Sequence, residues 1–200
     1  MTKAVILDLG GVIVAFDFKR AYARLEGMCD CPAAEIPQRL RSTDLVPRFE
    51  RGLIEPQAFV EQLCSLLTLR ATYEQFCGLW TSVFFPEPLI PESLLEPIRE
   101  HHRLVLLSNT NRIHFEMIDR TFPLLRHFDA RVLSYQVGAT KPSPEIYREA
   151  IKQAQCRAEE CFFADDIPLF VEGAVREGID AVRFESAEQL ERELSRRQVI

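Results

Sequence analysis

The feature that most constrains the fold of this chain is an alternation between short apolar runs and amphipathic helical patterns. The apolar runs lie at residues 4–7, 104–107, 130–134, 161–164 and 181–184. The helical patterns lie at residues 113–122, 144–153, 168–177 and 187–196. A short continuous apolar run is typical of a strand that is buried on both faces. The alternation therefore predicts an α/β fold, with a doubly wound, Rossmann-like parallel sheet and right-handed crossovers.

One long interval contains no candidate strand. From about residue 18 to residue 85, the apolar residues recur only at helical spacing, with turn residues between them. This pattern predicts a small helical bundle, inserted after the first strand as a cap over the carboxyl edge of the sheet. The expected domains are a core of residues 1–15 and 88–200 and a helical cap of residues 16–87. The predicted hydrophobic core of the cap consists of Leu63, Leu66, Leu67, Phe76, Leu79, Trp80 and Val83.

Polar residues follow three of the predicted strands. Asp8 comes directly after the first run, Ser108 and Asn109 follow the second, and Asp165 and Asp166 follow the fourth. Ligands of open parallel sheets bind beyond the carboxyl ends of the strands, so we expect these side chains to share one crevice. Each has an ordinary explanation as a helix cap, a turn residue or a solvated loop residue. Those explanations do not account for the convergence of all of them.

A divalent cation and a phosphate group would suit such a crevice. Three carboxylates in a low-dielectric site repel one another unless a cation neutralises them, and Mg²⁺ is the expected ion. Lys141 and the Ser108 hydroxyl would contact the remaining phosphate oxygens. Backbone amides of Gly10, Gly11 and Asn109 would add to the stabilisation of a transferring phosphoryl group. A carboxylate nucleophile there would form an acyl phosphate that water hydrolyses.

Four short motifs carry a resemblance to a known family. They are Asp8-Leu9-Gly10-Gly11-Val12, Leu107-Ser108-Asn109-Thr110, Lys141-Pro142 and Phe163-Ala164-Asp165-Asp166. In order and spacing they are similar to the four motifs of the haloacid dehalogenase (HAD) superfamily, and the helical insertion is similar to the cap of that family. The resemblance covers nearly the whole chain. It implies an enzyme, a magnesium-dependent phosphatase that hydrolyses a small phosphorylated metabolite through an aspartyl-phosphate intermediate.

Within this family the chain most resembles bacterial sugar phosphatases active on glucose 1-phosphate, which share the patterns Asp-Leu-Gly-x-Val-Ile-Val and Ser-Asn-Thr-Asn-Arg. A sugar phosphate is therefore the expected substrate. The resemblance implies that Asp8 is the nucleophile and that Lys141 screens it from the incoming phosphate. The implied Mg²⁺ ligands are Asp8, Gly10 through its carbonyl, Asp165 and Asp166. The implied phosphate-binding residues are Gly10, Gly11, Ser108, Asn109 and Lys141.

Two positions depart from the family pattern. Gly10 stands where most HAD phosphatases carry a second aspartate, a general acid that contributes roughly 10²- to 10⁴-fold to the rate. A sugar 1-phosphate or an acyl phosphate, whose leaving oxygen needs less help, fits its absence. Asp17 is a candidate substitute, and a helix N-cap is the competing interpretation of that residue. Phe170 stands where relatives usually place an asparagine that orders the acidic loop, so the metal site is either tuned or weakened.

Two alternatives to a phosphatase fit parts of the sequence. A 2-haloacid dehalogenase also lacks the second aspartate, but it uses no metal and has no need of the Asp165 and Asp166 pair. A HAD-fold binding or regulatory protein that has lost turnover would explain Gly10 and Phe170. That alternative leaves unexplained why the nucleophile, the lysine and both metal carboxylates are intact.

The substrate would be selected by the inner face of the cap. Arg48, Glu50 and Arg51, just before the turn at Gly52, are candidates for cap residues that face the site. A solvated surface turn is the competing interpretation of these three residues. The four histidines have no motif partner, and we expect them to be structural.

Charge and patterning argue against several other classes of protein. The formal net charge is −6 and no cluster of lysine and arginine occurs, which argues against nucleic-acid binding. No apolar stretch is long enough to span a bilayer, and a cleaved signal peptide would remove the candidate nucleophile. The six scattered cysteines suit a reducing compartment. We therefore expect a cytoplasmic monomer whose partner is a small phosphorylated molecule, with no nucleic acid and no membrane.

Overall fold

The computed structural model describes residues 1–26, 28–29 and 31–200, and its centre is a five-stranded parallel sheet. The strands are β1 (Ala4–Leu7), β2 (Val14–Phe16), β3 (Phe84–Pro88), β4 (Arg103–Ser108), β5 (Ala130–Leu133), β6 (Cys161–Asp165) and β7 (Asp180–Arg183). The central sheet has the order β5-β4-β1-β6-β7, and every neighbouring pair is parallel. The predicted fold class and the five predicted strands are confirmed.

Helices lie on both faces of this sheet and also form the insertion. They are α1 (Phe18–Leu25), α2 (Ile36–Arg41), α3 (Leu45–Glu50), α4 (Pro56–Leu67), α5 (Tyr73–Thr81), α6 (Glu92–His101), α7 (Arg112–Thr121), α8 (Ser134–Val137), α9 (Pro144–Ala154), α10 (Pro168–Arg176) and α11 (Ala187–Arg196). Within the described part of the chain, none of these helices has the length and apolar character needed to cross a membrane.

The central strand shows why the sequence has continuous apolar runs. Successive residues of a strand point to opposite faces of the sheet. Val5 and Leu7 belong to a hydrophobic core shared with α6, α7 and α11, whereas Ala4 and Ile6 belong to a second core shared with α9 and α10. All four side chains are fully buried. Because both faces of the strand are covered, none of its positions is polar. Polar residues can therefore follow only where the strand ends.

Helices α1 to α5 have a hydrophobic core of their own. Phe49 stacks on Phe59 with ring centroids 4.0 Å apart, and Phe76 stacks on Trp80 at 5.6 Å. The predicted core residues that are buried are Leu63, Leu67, Phe76, Trp80 and Val83. The predicted core residues that are partly buried against this cluster are Leu66 and Leu79. The insertion is therefore a packed helical unit rather than a long loop.

A two-stranded antiparallel ribbon joins the insertion to the sheet. In this ribbon Val14 pairs with Pro88 and Phe16 pairs with Phe84. The helical assignment of residues 84 and 85 is wrong, because both belong to β3. Local periodicity could not show this strand, since its partner lies at the other end of the insertion. The division into residues 1–15 and 88–200 and residues 16–87 stays a prediction.

A buried histidine ties the insertion to α7. The Nε2 atom of His114 lies 3.0 Å from the carbonyl oxygen of Trp80, and its ring stacks on the indole with centroids 5.4 Å apart. The Nδ1 atom lies 3.1 Å from Nδ2 of Asn111. Burial lowers the pKa of His114 to about 4, so the ring is neutral at pH 7. These contacts agree with a structural role for this histidine.

Candidate active site

The ends of three adjacent strands bring the central site residues together. Strand β1 lies between β4 and β6, and Asp8, Ser108 and Asp165 stand where these strands end. The backbone N–H of Asp8 donates to the carbonyl of Ala164 at 3.1 Å, so the pairing of β1 with β6 continues to Asp8. Asp8, Ser108 and Asp165 are all buried. Their positions thus depend on the sheet itself and not on a loose loop.

Lys141 reaches the same crevice from the loop before α9. Its Nζ atom lies 2.8 Å from Oδ1 of Asp8 and 2.6 Å from Oδ2 of Asp165. The same atom donates to the carbonyl of Leu107 at 3.4 Å. The lysine and both carboxylates are buried, so loss of one partner would leave an uncompensated charge in a low dielectric.

Two polar side chains hold the loops of the site. The Nδ2 atom of Asn109 donates to the carbonyl of Lys141 at 3.0 Å, and Oδ1 of Asn109 accepts from the N–H of Lys141 at 2.8 Å. The Asn109 side chain therefore positions Lys141, and its predicted phosphate contact would come from the backbone amide. Ser134, which sequence reasoning missed, accepts from the N–H of Thr110 at 2.9 Å and donates to its carbonyl at 2.8 Å. No motif marks Ser134, because its role depends on a neighbouring strand.

Three carboxylates lie close enough to share one cation. One oxygen from each of Asp8, Asp165 and Asp166 lies within 4.8 Å of the others. The Oδ1 atom of Asp166 is buried and, within the described residues, has no hydrogen-bond partner. A buried carboxylate oxygen without a partner is costly, and a cation at this position would remove that cost. A set of carboxylate oxygens suits a hard divalent ion such as Mg²⁺, so the residues present fit the expected metal.

Gly11 makes room for the acidic loop. Its φ of +80° lies in the left-handed region, and a Cβ atom there would lie 2.5 Å from Cγ of Asp166. Both the backbone conformation and the lack of space require glycine at this position. Any larger residue at position 11 would displace one of the three clustered carboxylates.

The position of the missing second aspartate is filled by another side chain. A Cβ atom at Gly10 would lie 3.0 Å from Cε1 of Phe16. The ring of Phe16 therefore occupies the space in which a side chain at position 10 would lie. Asp17 does not take over the role, because its Oδ1 accepts from the N–H of Lys19 at 2.9 Å as the N-cap of α1. The N-cap interpretation of Asp17 is confirmed.

Burial and mutual repulsion set the electrostatics of the site. Burial raises the pKa of Asp8 to about 7, the charge of Lys141 opposes this shift, and the charge of Asp165 adds to it. Burial and the neighbouring Asp165 also raise the pKa of Asp166. Burial disfavours the charged form of Lys141, but Asp8 and Asp165 outweigh it and raise the pKa of its amine. The site therefore holds more negative charge than its one buried ammonium group can neutralise.

Phe170 replaces an expected asparagine without leaving the acidic loop free. Its ring centroid lies 5.0 Å from Nζ of Lys141, a cation–π distance, and its carbonyl accepts from the hydroxyl of Tyr147 at 2.7 Å. The Oδ1 atom of Asp165 accepts from the backbone N–H of Ile167 at 2.9 Å. Backbone and aromatic contacts thus order this loop in the described structure.

A cavity of about 430 Å³ opens between the sheet edge and the insertion. The sheet side contributes Gly10 and the 108–111 segment, while the insertion contributes mainly aromatic and aliphatic side chains. Of the three cap residues proposed from sequence, Glu50 lines this cavity, whereas Arg51 is exposed. The aromatic residues on the cavity wall are Phe16, Phe18, Tyr22, Trp80 and Phe84. The cavity has the size of a small-molecule site and reaches the residues that flank Asp8.

Comparisons with known proteins agree with this geometry. A family model described as haloacid dehalogenase-like hydrolase matches residues 2–176. The chain is 30% identical over 172 residues to a D-ribitol-5-phosphate phosphatase from Bacteroides thetaiotaomicron, with 83% of this chain and 84% of the relative covered.

Two solved structures are similar over nearly their whole length. One is a predicted HAD-like family hydrolase from Porphyromonas gingivalis, with a TM-score of 0.84 and 27% identity, covering 99% of this chain and 98% of the other. The second is a HAD family enzyme from Bacteroides thetaiotaomicron in complex with magnesium and inorganic phosphate. It has a TM-score of 0.82 and 26% identity, covering 93% of this chain and 96% of the other. With a matching family model, a similar fold and the four motifs gathered at one sheet edge, the chain belongs to the haloacid dehalogenase-like hydrolase family.

Proposed function

We propose that this protein is a magnesium-dependent phosphatase that acts on a small phosphorylated metabolite, with Asp8 as the nucleophile. The observation that carries the proposal is the arrangement around Lys141, whose buried Nζ contacts Asp8 at 2.8 Å and Asp165 at 2.6 Å. A buried carboxylate beside a fixed ammonium group and two further carboxylates, Asp165 and Asp166, is suited to phosphoryl transfer. A positive charge beside Asp8 would reduce the repulsion between an anionic phosphate and an anionic nucleophile.

The residues of the chain supply the two halves of the reaction. A carboxylate oxygen of Asp8 attacks phosphorus as the bond to the leaving oxygen breaks, which gives an aspartyl phosphate. Water then attacks this phosphorus and restores the carboxylate. Lys141, the Ser108 hydroxyl and the backbone amides near Gly10 and Gly11 hold the phosphate oxygens throughout.

Asp8, Asp165, Asp166 and the Gly10 carbonyl would hold Mg²⁺. When bound, the ion neutralises part of the phosphate charge and helps to orient the phosphate for attack. The buried Asp166 Oδ1, which has no partner among the described residues, supports this assignment. A dehalogenase has no use for this third carboxylate, and the acidic cluster therefore favours phosphoryl transfer.

A sugar or polyol phosphate is the substrate class that we propose. A D-ribitol-5-phosphate phosphatase is 30% identical over 172 residues, and the cavity of about 430 Å³ accommodates a leaving group of five or six carbons. Aromatic side chains on the cavity wall suit the C–H faces of such a molecule, and the polar side chains among the lining residues suit its hydroxyls.

The experiment that tests the proposal is a release assay for inorganic phosphate with Mg²⁺ and with excess EDTA. The panel contains sugar phosphates, polyol phosphates, nucleotides and acetyl phosphate, and 2-chloropropionate serves as the dehalogenase control. We expect phosphate release that EDTA abolishes and no release of chloride. Chloride release that EDTA leaves unchanged would establish the dehalogenase alternative. Magnesium-independent or absent phosphate release across the whole panel would contradict the proposed function.

A further inference from the structure

Phosphate transfer to Asp8 from an ordinary alkyl phosphate needs a proton donor for the leaving oxygen. Position 10 has no side chain, and the ring of Phe16 lies where that side chain would be. Asp17 is engaged as the N-cap of α1. Among the described residues, none on the sheet side of the cavity supplies a carboxyl group in place of the general acid that most relatives use.

Glu50, the last residue of α3, lines the same cavity from the opposite side. Among the described residues that line this cavity, it is the one with a carboxyl side chain. Within the described part of the chain, its carboxylate has no recorded hydrogen bond or ion pair. Arg48 on the same helix differs, because it pairs with Asp44 at 3.7 Å. A carboxyl group that has no partner among the described residues, and that lines a substrate-sized cavity together with Gly10 and Ser108, is available to a bound ligand.

The backbone around Glu50 is held against the sheet domain. Gly52 has a φ of +67°, and a Cβ atom there would lie 2.0 Å from the carbonyl oxygen of Tyr135 in α8. On the other side of the helix, Phe49 stacks on Phe59 of α4 at 4.0 Å. Close approach of the Gly52 backbone and packing of Phe49 together hold the backbone of Glu50 in place. The backbone position of Glu50 therefore does not depend on a free loop.

The burial of Glu50 favours the protonated form of its carboxyl group. Burial raises its pKa to about 7, well above the ordinary value of 4.5. The other titratable groups on the helices packed against α3 or on the cavity wall are Tyr22, Arg41, Glu61, Cys64, His114 and Tyr135. Burial is the cause of the shift, and none of these groups forms a recorded ion pair with Glu50. A carboxyl group of this kind is protonated for much of the time near neutral pH.

We propose that Glu50 is the general acid of this enzyme, a role that rests on the phosphatase function proposed above. Its carboxyl group gives its proton to the leaving oxygen as the bond between that oxygen and phosphorus breaks. The carboxylate of Glu50 then accepts a proton from the water that attacks the aspartyl phosphate. Inorganic phosphate leaves, and Asp8 and Glu50 return to their starting states.

The test compares leaving groups in wild type and Glu50→Gln. The primary alkyl phosphates are D-ribitol 5-phosphate, glycerol 3-phosphate and glucose 6-phosphate, and acetyl phosphate is the substrate whose leaving carboxylate needs no proton. For the best alkyl phosphate we expect kcat/KM to fall roughly 10²- to 10⁴-fold. For acetyl phosphate we expect kcat/KM to change less than about threefold. When phosphoryl transfer to Asp8 is irreversible, kcat/KM covers the steps up to that transfer only, and acetate leaves in it without a proton. The alkaline limb of the alkyl-phosphate pH profile should also disappear in the variant.

Control measurements distinguish a general-acid role of Glu50 from a purely structural role. Glu61→Gln changes an exposed glutamate of the insertion and should leave both substrates unaffected. Thermal unfolding and circular dichroism check that Glu50→Gln is folded. An equal loss on both substrates, no loss on either, or a wild type that hydrolyses acetyl phosphate but no alkyl phosphate would overturn the role of Glu50. Those outcomes leave the phosphatase proposal standing, whereas a wild type without magnesium-dependent phosphate release contradicts that proposal before any variant is made.

Discussion

The two sides of the cavity hold their charged groups in different ways. On the sheet side, Asp8 and Asp165 both contact the buried ammonium group of Lys141, and backbone N–H groups donate to both carboxylates. On the cap side, Glu50 lies on a wall that is largely aromatic and aliphatic, without a recorded ion pair in the described structure. The phosphate therefore meets charges that are fixed before it arrives. The leaving group meets a largely apolar wall, which among the described residues carries one carboxyl group, Glu50, and one guanidinium group, Arg41.

This difference has an energetic consequence. On the sheet side Lys141 stabilises the charges of Asp8 and Asp165, so removal of the lysine leaves two carboxylates buried and unpaired. The carboxylate of Glu50 has no such partner among the described residues, so its burial costs stability and its removal relieves that cost. Lys141→Ala on the sheet side and Glu50→Gln on the cap side should therefore change the free energy of unfolding in opposite directions.

The largest expected effect is on activity, from Asp8→Asn. The amide is close in shape but is not a nucleophile, so kcat should fall roughly 10⁴-fold or more. Phosphate release from the best substrate of the panel measures this effect, and circular dichroism verifies the fold. Asp17→Asn is the matched control, since Asp17 caps α1, and it should retain the parent rate. Turnover by Asp8→Asn at the parent rate would contradict the mechanism.

Lys141→Ala should produce the largest loss of stability. The substitution leaves Asp8 and Asp165 buried without their cation, which typically costs about 3–5 kcal/mol in the free energy of unfolding. Urea unfolding at pH 7 in EDTA measures the loss without compensation by a metal. Lys152→Ala removes an exposed lysine that pairs with Glu149 at 3.1 Å, and it should change stability by less than about 1 kcal/mol. If both substitutions changed the free energy of unfolding by the same amount, the expected difference between the buried and the exposed ion pair would be wrong.

Glu50→Gln should stabilise the protein and do so more at high pH. The pKa of Glu50 is about 7 in the folded protein and near its ordinary 4.5 in the unfolded chain. Between these values the unfolded chain releases a proton that the folded protein keeps, so stability falls as pH rises. At pH 8 the variant should exceed wild type by on the order of 1–3 kcal/mol, and near pH 4.5 the gain should vanish.

Urea unfolding of wild type and Glu50→Gln at pH 4.5, 6 and 8 measures this trend. Glu61→Gln provides the comparison with an exposed glutamate and should show no dependence of this kind. A variant less stable than wild type at pH 8 would show that Glu50 has a stabilising partner. The proposed contrast between the two sides of the cavity would then be wrong.

The sheet side could be predicted from sequence because its residues follow buried strands. Asp8, Ser108 and Asp165 each stand at the end of an apolar run, and parallel strands bring such ends together. The position of Lys141 depends in addition on Asn109, whose amide holds the lysine backbone. Sequence pattern implied these neighbours but could not show which atoms meet.

The cap side was less accessible to sequence reasoning. Phe16 lies against Gly10 and belongs to β2, which pairs with β3 across the whole insertion, and local periodicity carries no signal of that pairing. Glu50 ends a helix of six residues, which is too short for periodicity to define an inner face. The backbone that carries it is held by the approach of Gly52 to the Tyr135 backbone, a contact between distant segments.

The smallest expected effect comes from Asp17→Ala and tests whether Asp17 serves only as a cap. Loss of its bond to the Lys19 N–H should cost about 1 kcal/mol in the free energy of unfolding. Asp17→Asn should restore most of this stability, since asparagine caps helices about as well as aspartate. Neither variant should change the kcat/KM of an alkyl phosphate by more than about twofold, because the carboxylate is engaged with α1. A loss of activity in both, with stability unchanged in Asp17→Asn, would transfer the role of proton donor from Glu50 to Asp17.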